Sequence, residues 1–242
     1  EVLLETIDFL KRDNYKIKNT DYDIISGLAG VGLYFLHSKE LNEDLLKNIS
    51  YKLVDMLSTI DILKIQDICE SKTKIIANSR IDYSISHGIL GIIYYLSKYY
   101  LLTDDKYILK IINASLQIYK NFLDDKEHNH ITQFPSISDA NIKNQTEFYY
   151  SNRTVWCYGS IGSFRALYLI ASNINDIGLK EKVKEKIICF KNNKLSDFNL
   201  ICPTFCHGLS GLYLILELFR KEENMQELQS TIIDLEQRIW SY

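Results

Sequence analysis

Nine of the ten glycines in this 242-residue sequence fall in four short Gly-x-x-Gly repeats, and each repeat leads into an apolar segment. The repeats begin with the pairs Gly27 and Gly30 (extended by Gly32), Gly88 and Gly91, Gly159 and Gly162, and Gly208 and Gly211. Glycine costs a helix about 1 kcal/mol relative to alanine, so its paired use in four first helical turns requires a structural reason. We expect the pairs to let neighbouring buried helices approach closely at one end of the molecule.

The segments after the glycines alternate between two kinds of helix. Residues 91–96 (Gly-Ile-Ile-Tyr-Tyr-Leu) are apolar on nearly all sides, whereas residues 107–122 carry a single apolar stripe. Helices that are apolar all round are buried, and one-sided helices cover them. Because only Pro135 and Pro203 interrupt the chain, the sequence predicts an all-α fold, a ring of hairpins with inner helices buried and outer helices facing water. Two connections, 124–152 and 191–205, are longer than usual links, and such long loops are either disordered or functional. Both lead directly into the reactive residues described next.

Reactive residues recur at fixed positions before the first glycine of each repeat. Cys157 and Cys206 lie two residues before it, His87 and His207 lie one residue before it, and Asp23 lies four residues before it. If the inner helices run parallel around a ring, all these side chains lie at the same end, where loops enter helices. These shared positions relative to the first glycine, which we call the register, therefore predict that residues far apart in sequence form one cluster.

Cys157, Cys206 and His207 supply two thiolates and one imidazole, a ligand set that zinc binds well. Three protein ligands leave the fourth tetrahedral position open, which is typical of catalytic zinc. The alternative is that Cys202 provides a fourth ligand and closes the site into a structural one. We predict one Zn²⁺ per chain, held by the first three residues.

His87 shares the register position of His207, but no cysteine precedes it. It is therefore better suited to acid–base catalysis than to metal binding. Asp23 and Arg153 could pair near the metal and orient the other groups, or they could serve as a helix cap and a surface charge. The remaining histidines are expected at the surface: His37, His128 and His130.

Charge and cysteine content exclude several classes of protein. The net charge of −3 gives no sign of a polyanion-binding face, so nucleic acid is not expected as a partner. No apolar run approaches the roughly 18–20 residues that cross a bilayer, and no signal peptide is recognisable, so the expected location is the cytoplasm. Five unevenly spread cysteines argue against a disulfide framework. Cys69 and Cys189 lie outside the register and are expected to be packing residues.

Four motifs together are similar to those of a known family. They are YDIISGLAG at 22–30, SHGILG at 86–91, RTVWCYG at 153–159 and CHGLSG at 206–211. In order and approximate spacing they resemble the lanthionine synthetase C-like cyclases, which install thioether rings in lantibiotic peptides. The resemblance extends over nearly the whole chain, and the Trp-Cys-Tyr-Gly and Cys-His-Gly motifs together are highly specific.

The resemblance implies an α/α toroid with zinc bound by Cys157, Cys206 and His207 at one mouth. The implied reaction is the Michael-type addition of a peptide cysteine to a dehydroalanine or dehydrobutyrine of the same peptide. The resemblance further implies four residues in or lining the catalytic site: Asp23, His87, Arg153 and Tyr158. The implied partners are a dehydrated precursor peptide and, at the membrane periphery, the cognate dehydratase and exporter.

The family's toroid contains seven hairpins, whereas this sequence shows four glycine-marked repeats and an incoming outer helix at 1–13. The sequence opens on Glu1 within an apolar pattern and reads like the inside of a longer protein. We expect residues 1–242 to form a single toroid domain that lacks N-terminal hairpins and could also lack C-terminal ones.

Two other functions stay open at this point. One is another zinc-dependent enzyme that alkylates thiols on the same toroid, such as a protein prenyltransferase, although that class typically has a carboxylate among its zinc ligands. The other is a non-catalytic protein of this family that binds a peptide or glutathione. Fold alone does not distinguish them.

Overall fold

The computed structural model describes residues 19–38, 42–59, 80–125, 134–140 and 146–242. In chain order the longer helices are α1 (Leu28–His37), α2 (Glu43–Thr59), α3 (Ile89–Thr103), α4 (Lys106–Asp124), α5 (Ser160–Ile174), α6 (Ile177–Ile188), α7 (Leu209–Glu222) and α8 (Gln229–Trp240). Short helical turns lie at Asn19–Tyr22, Cys189–Asn192, Leu195–Phe198 and Gln226–Leu228. The segment 1–13, which was predicted to be an outer helix, lies outside the described residues. So do Cys69, predicted to be a packing residue, and His128 and His130, predicted to be exposed. Within the described ranges, no helix combines the length and apolar character that crossing a membrane requires.

The eight helices form four hairpins, each with an inner helix followed by an outer helix. The inner helices pack side by side in chain order, α1 on α3, α3 on α5 and α5 on α7, and each outer helix packs on its own inner helix. Nearly every residue of α3 from Ile89 to Tyr99 is buried, whereas α4 buries one stripe that includes Ile108, Ile112 and Tyr119. The predicted arrangement of buried inner helices and covering outer helices is confirmed.

Two of the turns between inner and outer helices are built alike. Asp104 ends α3 and Asn175 ends α5, both in the left-handed region with φ of 54° and 59°, which short polar side chains tolerate. The next residue in each turn, Asp105 or Asp176, accepts hydrogen bonds from backbone N–H groups in the first turn of the outer helix. These caps reverse the chain within two residues and place each outer helix directly on its inner helix.

The paired glycines mainly leave room for the backbone of the turn before each inner helix. The prediction that they let neighbouring helices approach closely is therefore wrong for most of these positions. A Cβ atom on the second glycine of every pair would come within 3 Å of the carbonyl oxygen six residues earlier; at Gly162 this is the carbonyl of Trp156. A neighbouring repeat comes that close at Gly32, which lies under the Tyr95 ring, and at Gly91. Most of the close approach is thus within a repeat.

Two strands of a three-stranded antiparallel sheet lie in segment 124–152, which was expected to be a loop. The sheet consists of β1 (Arg80–Asp82), β2 (Phe134–Ala140) and β3 (Thr146–Ser151), in the order β1-β2-β3. The register shifts between Pro135 and Ile137, and an irregular position suits proline because it has no N–H for the ladder. The predicted helical fold class is confirmed. The sheet is an additional element that the helical periodicity of the sequence did not reveal. β1 and β3 end just before the turns that precede α3 and α5.

A row of aromatic rings connects the sheet to the segment that leads into α5. Phe134 of β2 contacts Phe164 of α5 edge to face, with ring centroids 5.6 Å apart. Phe190 continues the row to Phe198, with centroids 5.7 Å apart, and the Phe198 carbonyl accepts the N–H of Thr154 at 3.1 Å. All four rings are buried, so the core positions the backbone just before the Trp-Cys-Tyr-Gly motif.

Two predictions about single residues have opposite outcomes. His37, the last residue of α1, is exposed as predicted. Cys189, predicted to be a packing residue, is exposed, and its Sγ donates to the Glu185 carbonyl at 3.3 Å. The reason is that α6 ends at Ile188 and the chain continues as a 3₁₀ turn, whose tighter geometry turns side chains away from the helical stripe.

Candidate metal and acid–base site

Each inner helix is preceded by the same kind of turn. The turns are residues 24–26, 85–87, 156–158 and 205–207, and the following glycine caps the helix with extended backbone. Within a regular helix, adjacent residues point about 100° apart and cannot bind one ion together. The irregular turn removes this constraint, so that neighbours such as Cys206 and His207 can serve one site.

Hydrogen bonds join the four turns in chain order. The N–H of Ile24 donates to the Ser86 carbonyl at 3.2 Å, and the N–H of Cys157 donates to the Cys206 carbonyl at 3.5 Å. Between these two bonds, the Ser86 hydroxyl donates to the Cys157 carbonyl at 3.1 Å. Because these bonds tie together the starts of all four inner helices, the turns gather at one end of the molecule, as the register predicts.

Cys157, Cys206 and His207 are brought together as potential metal ligands. They are the one such group of three or more found in the described part of the chain, with ligand atoms within 4.8 Å of one another. The Sγ of Cys206 and the Nε2 of His207 are 4.0 Å apart. Around a tetrahedral zinc ion such atoms lie roughly 3.5–3.8 Å apart, so small side-chain movements suffice for all three to bind one ion.

The thiol of Cys157 is buried, and its Sγ donates to the Cys206 carbonyl at 3.3 Å. Burial, followed by the interaction with Cys206, raises the pKa of the Cys157 thiol to about 12. A thiol with this pKa keeps its proton at neutral pH, and the charge of a metal ion is what would release it.

Cys202 lies on the same loop as Cys206 and His207 but outside the group of potential ligands. Its Sγ is 3.2 Å from the Thr204 hydroxyl oxygen and 3.8 Å from the His207 carbonyl oxygen. The group of potential ligands among the described residues has three members, and Cys202 is not one of them. This geometry favours the three-ligand site over the closed alternative.

Asp23 and His87 form the second part of the site. The Oδ2 of Asp23 is 2.7 Å from the Nδ1 of His87, while its Oδ1 accepts the N–H groups of Ser26 at 2.6 Å and Gly27 at 3.0 Å. The carboxylate is fully buried, whereas the His87 side chain is 33% exposed. Asp23 thus caps its own turn and orients the imidazole, and Nε2 is the ring nitrogen that can exchange a proton with a substrate.

Tyr158 lies between the Asp23–His87 pair and the candidate metal ligands. It directly follows Cys157, and its ring centroid is 5.7 Å from that of His87. Burial, followed by the electrostatic effects of Asp82, of the two cysteines and of Asp23, raises the pKa of Tyr158. The hydroxyl is therefore protonated at neutral pH and can donate a hydrogen bond. The Asp23–His87 pair and the thiols lie side by side.

Arg153 is exposed at the start of the segment that leads into α5. Among the hydrogen bonds and ion pairs of the described residues, none joins Asp23 to Arg153. The Asp23 carboxylate instead contacts His87 and accepts backbone N–H groups of its own turn. The Thr204 hydroxyl and, more weakly, the charge of Arg153 lower the pKa of the Cys202 thiol. Arg153 therefore lies beside the loop that carries two of the candidate metal ligands, Cys206 and His207.

Two polar residues that hold these turns were not predicted from the sequence. Ser86 is buried and makes the hydrogen bond to Cys157, and Asp82 is buried and accepts the N–H of Ser84 at 2.8 Å. A signal was present in the register, since Ser86 aligns with Cys157 two residues before the glycine, and Asp82 aligns with Arg153 six residues before it.

Two known proteins are similar to this chain over most of its length. The curated nisin biosynthesis protein NisC of Lactococcus lactis subsp. lactis is 23% identical in an alignment that covers 91% of this chain and 55% of that protein. A solved structure of nisin cyclase has a TM-score of 0.72 at 17% identity and covers 99% of this chain and 61% of that one. The chain thus spans somewhat more than half the length of these relatives, and the likeness to the solved structure confirms the predicted toroid fold.

The family described as "Lanthionine synthetase C-like protein" matches residues 2–242. This range includes all four glycine-marked repeats and every residue of the candidate site. The chain therefore belongs to the lanthionine synthetase C-like protein family.

Proposed function

We propose that the chain acts in a zinc-dependent lantibiotic cyclase, which forms lanthionine and methyllanthionine rings by adding peptide cysteine thiols to dehydroalanine or dehydrobutyrine. One observation carries this proposal. A group of two thiols and an imidazole lies beside a histidine that a buried carboxylate orients, at the end where the four inner helices begin. The names of the relatives, a nisin biosynthesis protein and a nisin cyclase, support a cyclase activity.

The zinc ion would be held by Cys157, Cys206 and His207. Two soft thiolates and one imidazole suit zinc better than magnesium or calcium, which prefer oxygen ligands. The described residues supply three ligands, so a tetrahedral ion would have a place for the sulfur of a substrate. When bound, zinc supplies the positive charge that keeps nearby thiols deprotonated, and therefore nucleophilic, at neutral pH.

The remaining chemistry is proton transfer, for which His87 is placed. The substrate sulfur forms a bond with the β-carbon of the dehydro residue, the π electrons move to give an enolate, and the α-carbon then takes up a proton. We assign one of the two proton transfers, removal from the thiol or delivery to the α-carbon, to the Nε2 of His87. Asp23 orients the ring through the contact with Nδ1, and general acid–base catalysis by a positioned side chain is typically worth about 10²–10⁴-fold.

Arg153 and Tyr158 complete the proposed site. Arg153 is exposed beside the ligand loop, where its guanidinium can bind a carbonyl oxygen of the peptide as negative charge develops on it. Tyr158, next to the His87 ring, can donate a hydrogen bond to the same peptide. Both roles concern charge and positioning rather than bond formation.

The chemistry also defines the partners that we propose. A dehydro residue arises by loss of water from serine or threonine, so the substrate is a precursor peptide that a dehydratase has already modified. We place the reaction in the cytoplasm, with contact to the dehydratase and an exporter at the membrane.

The test is incubation of the zinc-loaded protein with a dehydrated precursor peptide that contains free cysteines. Ring formation leaves the peptide mass unchanged, so we would count unreacted thiols with an alkylating reagent and mass spectrometry. We expect the thiol count to fall with the wild-type protein. With His87→Ala the count should stay unchanged although zinc is retained. An unchanged count with zinc-loaded wild-type protein would contradict the enzymatic proposal and favour a non-catalytic peptide-binding protein.

A further inference from the structure

Two aromatic rings directly precede the two cysteine ligands in the chain. Trp156 comes before Cys157, and Phe205 comes before Cys206. Although they belong to different repeats, the two rings are in contact, with centroids 5.6 Å apart and planes inclined by 40°. We call this pair the aromatic shelf.

The aromatic shelf is partly exposed and held in a fixed position. Phe205 is 44% exposed, and Trp156 is half-buried against the core. The residue at the same position in the turn before α3, Ile85, is only 5% exposed, so the turn does not by itself require exposure. The carbonyl groups of Trp156 and Phe205 pack against Gly162 and Gly211. This tight contact fixes the backbone of both aromatic residues; the Ile85 carbonyl packs against Gly91 in the same way, so the exposure of the rings is particular to these two repeats.

We propose that the aromatic shelf binds an apolar side chain two residues away from the reacting cysteine of the substrate peptide and so determines which cysteines form rings. This inference rests on the proposed function, because the metal site is what would hold the substrate sulfur. Successive side chains of an extended peptide point to opposite faces, so side chains two residues apart, about 7 Å, lie on the same face. Trp156 and Phe205 directly precede Cys157 and Cys206, so a peptide whose sulfur reaches these thiols can place a side chain two residues away over the rings.

An apolar side chain is the occupant that the shelf favours. Covering two partly exposed rings with a leucine or phenylalanine side chain removes apolar surface from water on both partners. A serine side chain at the same place would gain little from the rings, because it has almost no apolar surface to bury. The shelf thus predicts selectivity for the residue two positions from the cysteine, separate from the chemistry of the thiol.

The test compares two peptides that differ only at the positions two residues before and two residues after a single cysteine. One has leucine at both positions and the other has serine, and alanine stands in place of dehydroalanine so that no reaction occurs. Because the chain has two tryptophans, Trp240→Phe leaves Trp156 as the only tryptophan, whose emission is excited selectively at the red edge of the absorption band. We expect the leucine peptide to bind zinc-loaded protein about tenfold more tightly and to shift the Trp156 emission to shorter wavelength.

Three variants then identify the residue responsible. Phe205→Ala should remove most of the tenfold preference while the affinity of the serine peptide and the zinc content stay unchanged. Phe205→Leu should retain most of the preference. Ile201→Ala removes an apolar side chain of the same loop that is 76% exposed, and it should have no effect. Equal affinities of the two peptides for the wild-type protein would contradict the proposed role of the aromatic shelf. An equal loss of affinity for both peptides in Phe205→Ala would contradict it as well.

Cyclisation of the corresponding dehydrated peptides is measured separately. If the protein cyclises neither peptide but still binds the leucine peptide preferentially, the proposed function fails and the shelf stands as a peptide-binding site. If both peptides are cyclised with the same kcat/KM and bind equally, the function stands and the shelf is overturned.

Discussion

Asp23 and His87, 64 residues apart in the chain, meet through a 2.7 Å contact between Oδ2 and Nδ1. The other carboxylate oxygen of Asp23 accepts two backbone N–H groups of the turn before α1. One buried side chain therefore both completes a local cap and orients a residue of the next hairpin. The acid–base pair exists only because α1 and α3 pack side by side with their starts at the same end.

This double role predicts the effect of Asp23→Asn. The amide oxygen can still accept the backbone N–H groups, whereas the negative charge beside the imidazole is lost. We expect kcat/KM for ring formation to fall about 10²–10⁴-fold, with zinc content unchanged. Asp23→Ala also loses the cap and should in addition lower the free energy of unfolding by about 1–2 kcal/mol. Full activity of Asp23→Asn in the thiol-counting assay would show that the charge is not needed.

The ligand geometry predicts which cysteines zinc requires. Replacing Cys157, Cys206 or His207 by alanine should each reduce bound zinc from one ion per chain to a small fraction, measured by elemental analysis after dialysis against a chelator. Cys202→Ala is the matched control from the same loop, and it should keep its zinc because the Cys202 Sγ contacts Thr204 and lies outside the ligand group. Loss of zinc in Cys202→Ala would instead indicate a closed, four-ligand site.

The two roles of glycine in this chain predict opposite effects of alanine. At Gly162 a Cβ atom would collide with the carbonyl group of Trp156, so we expect Gly162→Ala to lower the free energy of unfolding by about 2–3 kcal/mol. At Gly178, in the first turn of α6, the nearest atom is Asp176 Oδ1 at an ordinary 3.6 Å, and alanine should stabilise by about 0.5–1 kcal/mol. Urea unfolding measures both, and a Gly162→Ala protein as stable as wild type would contradict the packing role of this glycine.

A pH-dependent contribution to stability is expected at the far end of α7. Glu223 accepts a hydrogen bond from the Tyr168 hydroxyl and pairs with Lys180 and Lys184, each at 2.9 Å. Burial opposes ionisation, but these hydrogen bonds outweigh it and lower the pKa of Glu223 from 4.5 to about 2. Because the pKa in the folded protein lies below the value in the unfolded chain, the stabilisation is complete above about pH 4.5 and is lost as the pH falls toward 2.

We therefore expect Glu223→Gln to lower the free energy of unfolding by about 1–2 kcal/mol at neutral pH. The difference from wild type should shrink as the pH falls below about 4.5. Glu222→Gln is the neighbouring control; its partner is Arg165, its side chain is 39% exposed, and its effect should stay below about 1 kcal/mol. Urea unfolding of the three proteins at several pH values checks this, and a difference between Glu223→Gln and wild type that does not depend on pH would refute it.

Residue spacing alone was enough to predict that Cys157, Cys206 and His207 would meet. Each precedes a glycine that starts a buried helix, and parallel packing of such helices brings equivalent positions together. The same spacing did not show that Asp82 and Ser86 support the turns, although both occupy the register. Their buried hydrogen bonds depend on the exact placement of neighbouring turns, which periodicity does not specify.

The sequence by itself determined the alternation of inner and outer helices and the common register of the reactive residues, because both follow from local apolar periodicity and from where glycine is tolerated. Only the tertiary structure decided that Asp23 pairs with His87 rather than Arg153, that residues 134–140 and 146–151 form strands, and that the glycines serve their own turns. These outcomes depend on how adjacent hairpins are rotated and how closely backbone segments approach. Such distances arise when distant parts of the chain pack, and no local pattern encodes them.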